Sequence, residues 1–136
     1  MKKKAILLLT SIALLLGGLF LYLLFNDKAY ISRVLSELIP IQTIKKQSLA
    51  IIILSSFGAD LFWSMSFTMI VQFIVWFKKR KTYLLCVCSL LGIVYELMQC
   101  FGIVPGTADV LDGIIYILGS LFAILIIQGG KLYEEE

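Results

Sequence analysis

Long apolar blocks alternate with short polar connections along the chain, and the few polar residues inside the blocks recur at helical spacing. Apolar sequence runs from Ala5 to Phe25, from Leu49 to Phe77, from Thr82 to Val104 and from Val110 to Gln128. Blocks of about 20 residues are long enough to cross a bilayer as helices. The second block is longer than one span needs and is interrupted by "SFGAD" at Ser56–Asp60. The pattern places a second span over 61–77. Leu49–Leu54 then becomes a short apolar approach, interfacial or partly re-entrant, with one long tilted helix as the alternative. The expected fold is all-α: a single integral membrane domain over residues 1–136, a four-helix bundle with spans near 5–25, 61–77, 82–104 and 110–128.

An outer loop, residues 26–60, separates the first two spans. Within it Tyr30, Ile31, Val34, Leu35, Leu38 and Ile39 share one helical face, with Ser32, Arg33, Ser36 and Glu37 on the other. This predicts a short amphipathic helix near 29–39, lying on the membrane surface and stopped by Pro40. Arg33 and Glu37, four apart, are placed to pair weakly.

Three spans carry a polar or small-residue stripe. It reads Asp60, Ser64, Thr68 and Gln72 in the second and Ser89, Gly92, Glu96 and Gln99 in the third. In the fourth it reads Asp109, Asp112, Tyr116, Gly119 and Ala123. Steps of three and four keep such residues on one face. In lipid, small residues let helices approach and polar ones hydrogen-bond across the contact.

Charge orients the spans. Lys2–Lys4 precede the first, "KKRK" at Lys78–Lys81 joins the second to the third, and "KLYEEE" follows the fourth. With four spans all three segments share one side, and the excess of Lys and Arg places that side in the cytoplasm. The first block begins like a secretory signal. Its apolar run is longer than a signal core and no A-x-A site closes it, so an uncleaved span is expected.

Composition narrows the function. The chain is 60% hydrophobic with a net charge of +3, and no basic stripe interleaves with aromatics, which argues against nucleic acid as a partner. There is no histidine, so the commonest metal ligand and neutral-pH base is missing. Cys86, Cys88 and Cys100 fall in one apolar block, and Cys86 and Cys88 point to opposite sides of a helix. They read as small apolar residues, and neither a metal nor another cofactor is expected.

The topology puts Asp60, Asp109 and Asp112 at the outer ends of their spans, with Glu96 about two turns below the outer end of the third. Asp109 suits an N-cap. Asp112, one turn on, suits the positive end of the helix dipole, and Asp60 can do the same for its own span. Glu96 has no such local duty. An ionisable group inside a span costs roughly 2.5–3.5 kcal/mol on insertion scales and is a functional candidate by default. It must face a cavity, take a proton or find a partner, the candidates being Gln99, Tyr116 and Asp112. The expected site is an outward-opening acidic pocket with Glu96 as its floor.

The stretch "YELMQ", a short loop and "GTADVLDGIIYILG" resembles the VanZ-like family of small bacterial membrane proteins. The matching positions are Glu96, Gln99, Asp109, Asp112 and Gly119. "ADLFWSMSFT" at Ala59–Thr68, with Trp63, resembles the start of an earlier span in some members. Family members commonly carry an arginine where this chain has Gly106 and an asparagine where it has Tyr116. The missing arginine bears on anionic ligands, for which a bidentate guanidinium is the usual partner. The resemblance implies a bacterial cytoplasmic membrane location and an association with glycopeptide (teicoplanin) resistance and the cell envelope.

Three functions compete. The first is a non-enzymatic envelope factor whose pocket, formed by Asp60, Trp63, Glu96, Gln99, Asp109, Asp112 and Tyr116, binds a lipid-linked wall precursor, another envelope ligand or a partner protein. The second is an intramembrane hydrolase or transferase using paired carboxylates as acid and base, or around a divalent metal. No nucleophile elbow or phosphate loop supports it. The third is a small proton-coupled transport subunit. Four short spans without an internal repeat would then need to homo-oligomerise.

Overall fold

The computed structural model describes residues 2–25, 48–75, 81–104 and 109–131. The amphipathic helix expected near 29–39, most of the basic linker at 78–81, the Pro105–Gly106 turn and the acidic tail lie outside these residues. The described chain is all-helical: α1 (Lys2–Phe25), α2 (Leu49–Val75), α3 (Lys81–Cys100) and α4 (Val110–Gly129). Three stretches are long and apolar enough to cross a membrane: Lys2–Phe25, Ser56–Ile74 within α2, and Val110–Gly129. The apolar part of α3, Leu85–Cys100, is shorter.

α2 is the centre of the arrangement. α1 packs along one side of it and α4 along another, while α3 packs chiefly on α4 and touches α2 only briefly. Glycines set the close approaches. A Cβ on Gly18 would come within 2.6 Å of the Trp63 ring, and one on Gly92 within 2.7 Å of Tyr116 Cβ. A Cβ on Gly119 would collide with Ser64 Oγ and lie 2.8 Å from the Leu61 carbonyl oxygen. The helices therefore meet backbone to side-chain root, the geometry small residues permit in lipid.

The stripe on α2 faces inward, as its spacing requires. Ser64, Thr68 and Gln72 of the stripe are buried, and so are Ser66, which lies off the stripe toward α1, Ser11 on α1 and Ser120 on α4. The Ser66 hydroxyl donates to the Ser11 carbonyl across α1 and α2 at 2.7 Å. The Thr68 hydroxyl lies 2.8 Å from the Ser64 carbonyl and 3.1 Å from the Ser120 hydroxyl on α4. Interhelical bonds of this kind average about 0.6 kcal/mol each in a membrane. Further along, Leu7, Met65, Met69, Ala123 and Ile127 form the apolar core.

Of the two readings of the second block, α2 follows the single long helix. Leu49–Leu54 is the first part of one unbroken helix that runs through Ser56–Asp60 to Val75. The "SFGAD" interruption is absorbed because Gly58 and Ala59 are buried, Gly58 against Leu21. Register follows from the contacts. Gly58 meets Leu21 and Gly18 meets Trp63, so α1 and α2 are antiparallel. Tyr116 meets Asp60 and Gly119 meets Ser64, so α2 and α4 are parallel. Extending both pairings puts Phe25, Leu54 and Asp109 at one level. Among the described residues, 49–53 thus extend past the level of Phe25 and Asp109, with Leu49 74% and Ile53 53% exposed.

Candidate functional site

The candidate site is built where α3 passes into α4. α3 stops at Cys100 because Gly102 takes a left-handed backbone, φ 68°. Its N–H donates to the Gln99 carbonyl at 2.9 Å, and the Ile103 N–H donates to the Met98 carbonyl at 2.9 Å. These are the two bonds of a Schellman cap, which only glycine enters without a steric cost. The span expected to reach Val104 therefore ends a turn earlier. Glu96 is left four residues from the helix end, about 6 Å at 1.5 Å per residue.

Asp109 is the N-cap of α4, in an extended conformation, with Oδ1 accepting from the Leu111 N–H at 2.9 Å. The backbone N–H of Asp109 is itself bonded, donating to Glu96 Oε2 at 3.0 Å. In a capping box that N–H is taken by the residue three positions along the same helix, here Asp112. Glu96 does the job from the neighbouring helix. The partner sought for Glu96 is thus a backbone amide at the rim of the site, and Glu96 is not its floor.

Asp112 is released from capping, and among the described residues its carboxylate makes no hydrogen bond. It stands within electrostatic reach of Glu96 and Asp109. Asp60 is the deepest of the four acids. It lies inside α2, eleven residues past Leu49, and caps nothing, contrary to the expected outer-end placement. By the register above it sits about 9 Å inward from the level of Asp109. Tyr116 approaches it from α4, O–H to Oδ1 at 3.5 Å, a long contact. Asp60 also feels the charges of Asp112 and Glu96. The described lysines all lie at the opposite end of the bundle, so among the described residues no cation offsets this cluster.

Gln99 and Trp63 fall differently. The Gln99 Oε1 is buried and has no hydrogen-bond partner among the described residues, as is also true of Ser89 Oγ. Trp63 packs over Gly18 and against Tyr22, ring centroids 5.5 Å apart. It also lines an open hollow of about 310 Å³ among α2, α3 and α4, together with Gly92, Tyr95 and Tyr116. A second hollow, about 400 Å³, lies between α3 and α4 and includes Glu96, Asp109 and Gly113. Gly113 was not singled out from the sequence. Its signal was there: it sits in an apolar helix but off the small-residue stripe. Among the described residues no three of His, Cys, Asp and Glu converge as a metal site requires.

Among the described residues, fold and site define a class: an all-helical arrangement with three helices long and apolar enough to cross a membrane and with carboxylates gathered toward one end. No protein-family model matches the chain, and neither a curated protein nor a solved structure does.

Proposed function

We propose that the chain is a four-span integral membrane protein of the bacterial cell envelope, with both termini in the cytoplasm. The α3–α4 hairpin then faces outward and presents Asp60, Asp112 and Tyr116 as a binding face for an envelope ligand or partner. The observation that carries this reading is the clustering itself. Asp60, Asp112 and Glu96 come from three helices to one end of the bundle, and neither Asp60 nor Asp112 has a capping role that explains it. The three acids are half-buried, where like charges repel more strongly than in water, so a fold that keeps them together is held to a use. The motif of Glu96, Gln99, Asp109 and Asp112 supports a place beside the VanZ-like proteins and a link to glycopeptide susceptibility.

The test is a susceptibility assay in a bacterium expressing the chain. Wild type is expected to shift glycopeptide or envelope-stress susceptibility, and Asp60→Asn with Asp112→Asn to abolish the shift while the protein still accumulates in the membrane. Ser89→Ala serves as a control that retains it. An undiminished shift in the double variant would sink the binding-face reading.

A further inference from the structure

The hollow between α3 and α4 has a shape and a chemistry that the acid cluster alone does not explain. Ile93 and Leu97 on α3 and Gly113 and Ile117 on α4 are among the residues that line it. A glycine inside a helix costs roughly 1 kcal/mol relative to alanine. Gly17, Gly18, Gly58, Gly92 and Gly119 each have a neighbour within 3.2 Å of where a Cβ would stand. Gly113 has nothing within 4 Å. Its missing side chain is not used to bring helices together. It leaves open a trough of about 400 Å³.

The trough is amphiphilic along its length. Its inner part is apolar, and its outer part holds Glu96 and Asp109. One oxygen of each carboxylate is used by a backbone N–H. Among the described residues the other oxygen of each is unbonded. Two carboxylates face the N-terminus of α4, which offers about half a positive charge, so among the described residues the outer end keeps net negative charge. It complements one cation and repels an anionic headgroup.

Resting on the reading of α3 and α4 as membrane spans, we infer that this trough is a binding site for an aminophospholipid. One acyl chain lies over Gly113 between Ile93 and Ile117, and the primary ammonium of the headgroup sits against Glu96 and Asp109. The bilayer supplies the chain at this depth, and the carboxylates select the head.

The experiment uses the full chain in lipid nanodiscs. Phosphatidylethanolamine or phosphatidylglycerol carrying a diazirine on one acyl chain is added at equal mole fraction, and photolabelled residues are mapped by mass spectrometry. The ethanolamine probe is expected to label trough residues about fivefold more than the glycerol probe, the factor given by about 1 kcal/mol for one interfacial charge. Labelling of Leu9 and Phe20 on α1 should show no preference. Glu96→Gln with Asp109→Asn, which leaves acceptors for both capping bonds, is expected to bring the ratio to one. Gly113→Leu puts a side chain into the open space at this position and is expected to reduce trough labelling by both probes to the α1 level.

Equal labelling by both probes in the wild type would overturn the proposal. So would a ratio unchanged in the double variant, or trough labelling no greater than on α1, the result if residues 26–47 or a second copy occupy the trough. Because the susceptibility test rests on Asp60 and Asp112, it can succeed while this one fails.

Discussion

Gly113 and Gly119 lie six residues apart on α4 and have opposite surroundings. Alanine at Gly119 drives a methyl into Ser64 Oγ and toward the Leu61 carbonyl, and a backbone atom cannot move aside cheaply. Overpacking of this kind costs about 1–3 kcal/mol. Alanine at Gly113 meets nothing and gains up to about 1 kcal/mol of helix propensity. Thermal unfolding in detergent is therefore expected to show a lower midpoint for Gly119→Ala and an equal or higher one for Gly113→Ala. Equal destabilisation by both would contradict the packing described. The N-cap at Asp109 was legible in the sequence because capping is local chemistry. The role of Glu96 was not, because it depends on Gly102 ending α3 early and on an amide delivered by another helix. Shortening α3 turned the apparent deep acid into a rim residue, and the unbroken α2 made Asp60 the deep one.

The continuity of α2 is the main difference between pattern and fold. A small and polar run such as Ser56–Asp60 reads as a break when a helix is considered alone. Against α1 and α4 the same residues fit: Gly58 and Ala59 fill a close contact and Asp60 meets Tyr116. The inward face of Ser64, Thr68 and Gln72 was readable from spacing, whereas Ser11, which receives the Ser66 hydrogen bond, carried no signal beyond being a lone serine in an apolar helix. Continuity has a direct consequence. Proline at Gly58 removes a helix hydrogen bond and clashes with the preceding turn, at about 3 kcal/mol or more. Gly58→Pro is expected to abolish accumulation of folded protein in membranes, with Gly58→Ala close to wild type. Normal accumulation of Gly58→Pro would mean that the helix breaks there, as the re-entrant alternative requires.

At the scale of the molecule, apolar block lengths and stripes conveyed the four helices of the described residues and the inward face of α2, because both follow from periodicity and burial. The relative depth of the acids did not, since depth is set by helix ends and register between helices. The charge pattern among the described residues, lysines at one end of the bundle and the Asp60, Glu96, Asp109 and Asp112 carboxylates toward the other, underlies the proposal that the carboxylate end faces outward. Impermeant-maleimide labelling of intact cells tests that placement directly. In a background with Cys86→Ala, Cys88→Ala and Cys100→Ala, single Ile103→Cys and Lys131→Cys variants report the two ends. An outward acidic face predicts that Ile103→Cys is labelled in intact cells and Lys131→Cys only after permeabilisation. Labelling of Lys131→Cys in intact cells, with Ile103→Cys protected until the membrane is opened, would contradict it.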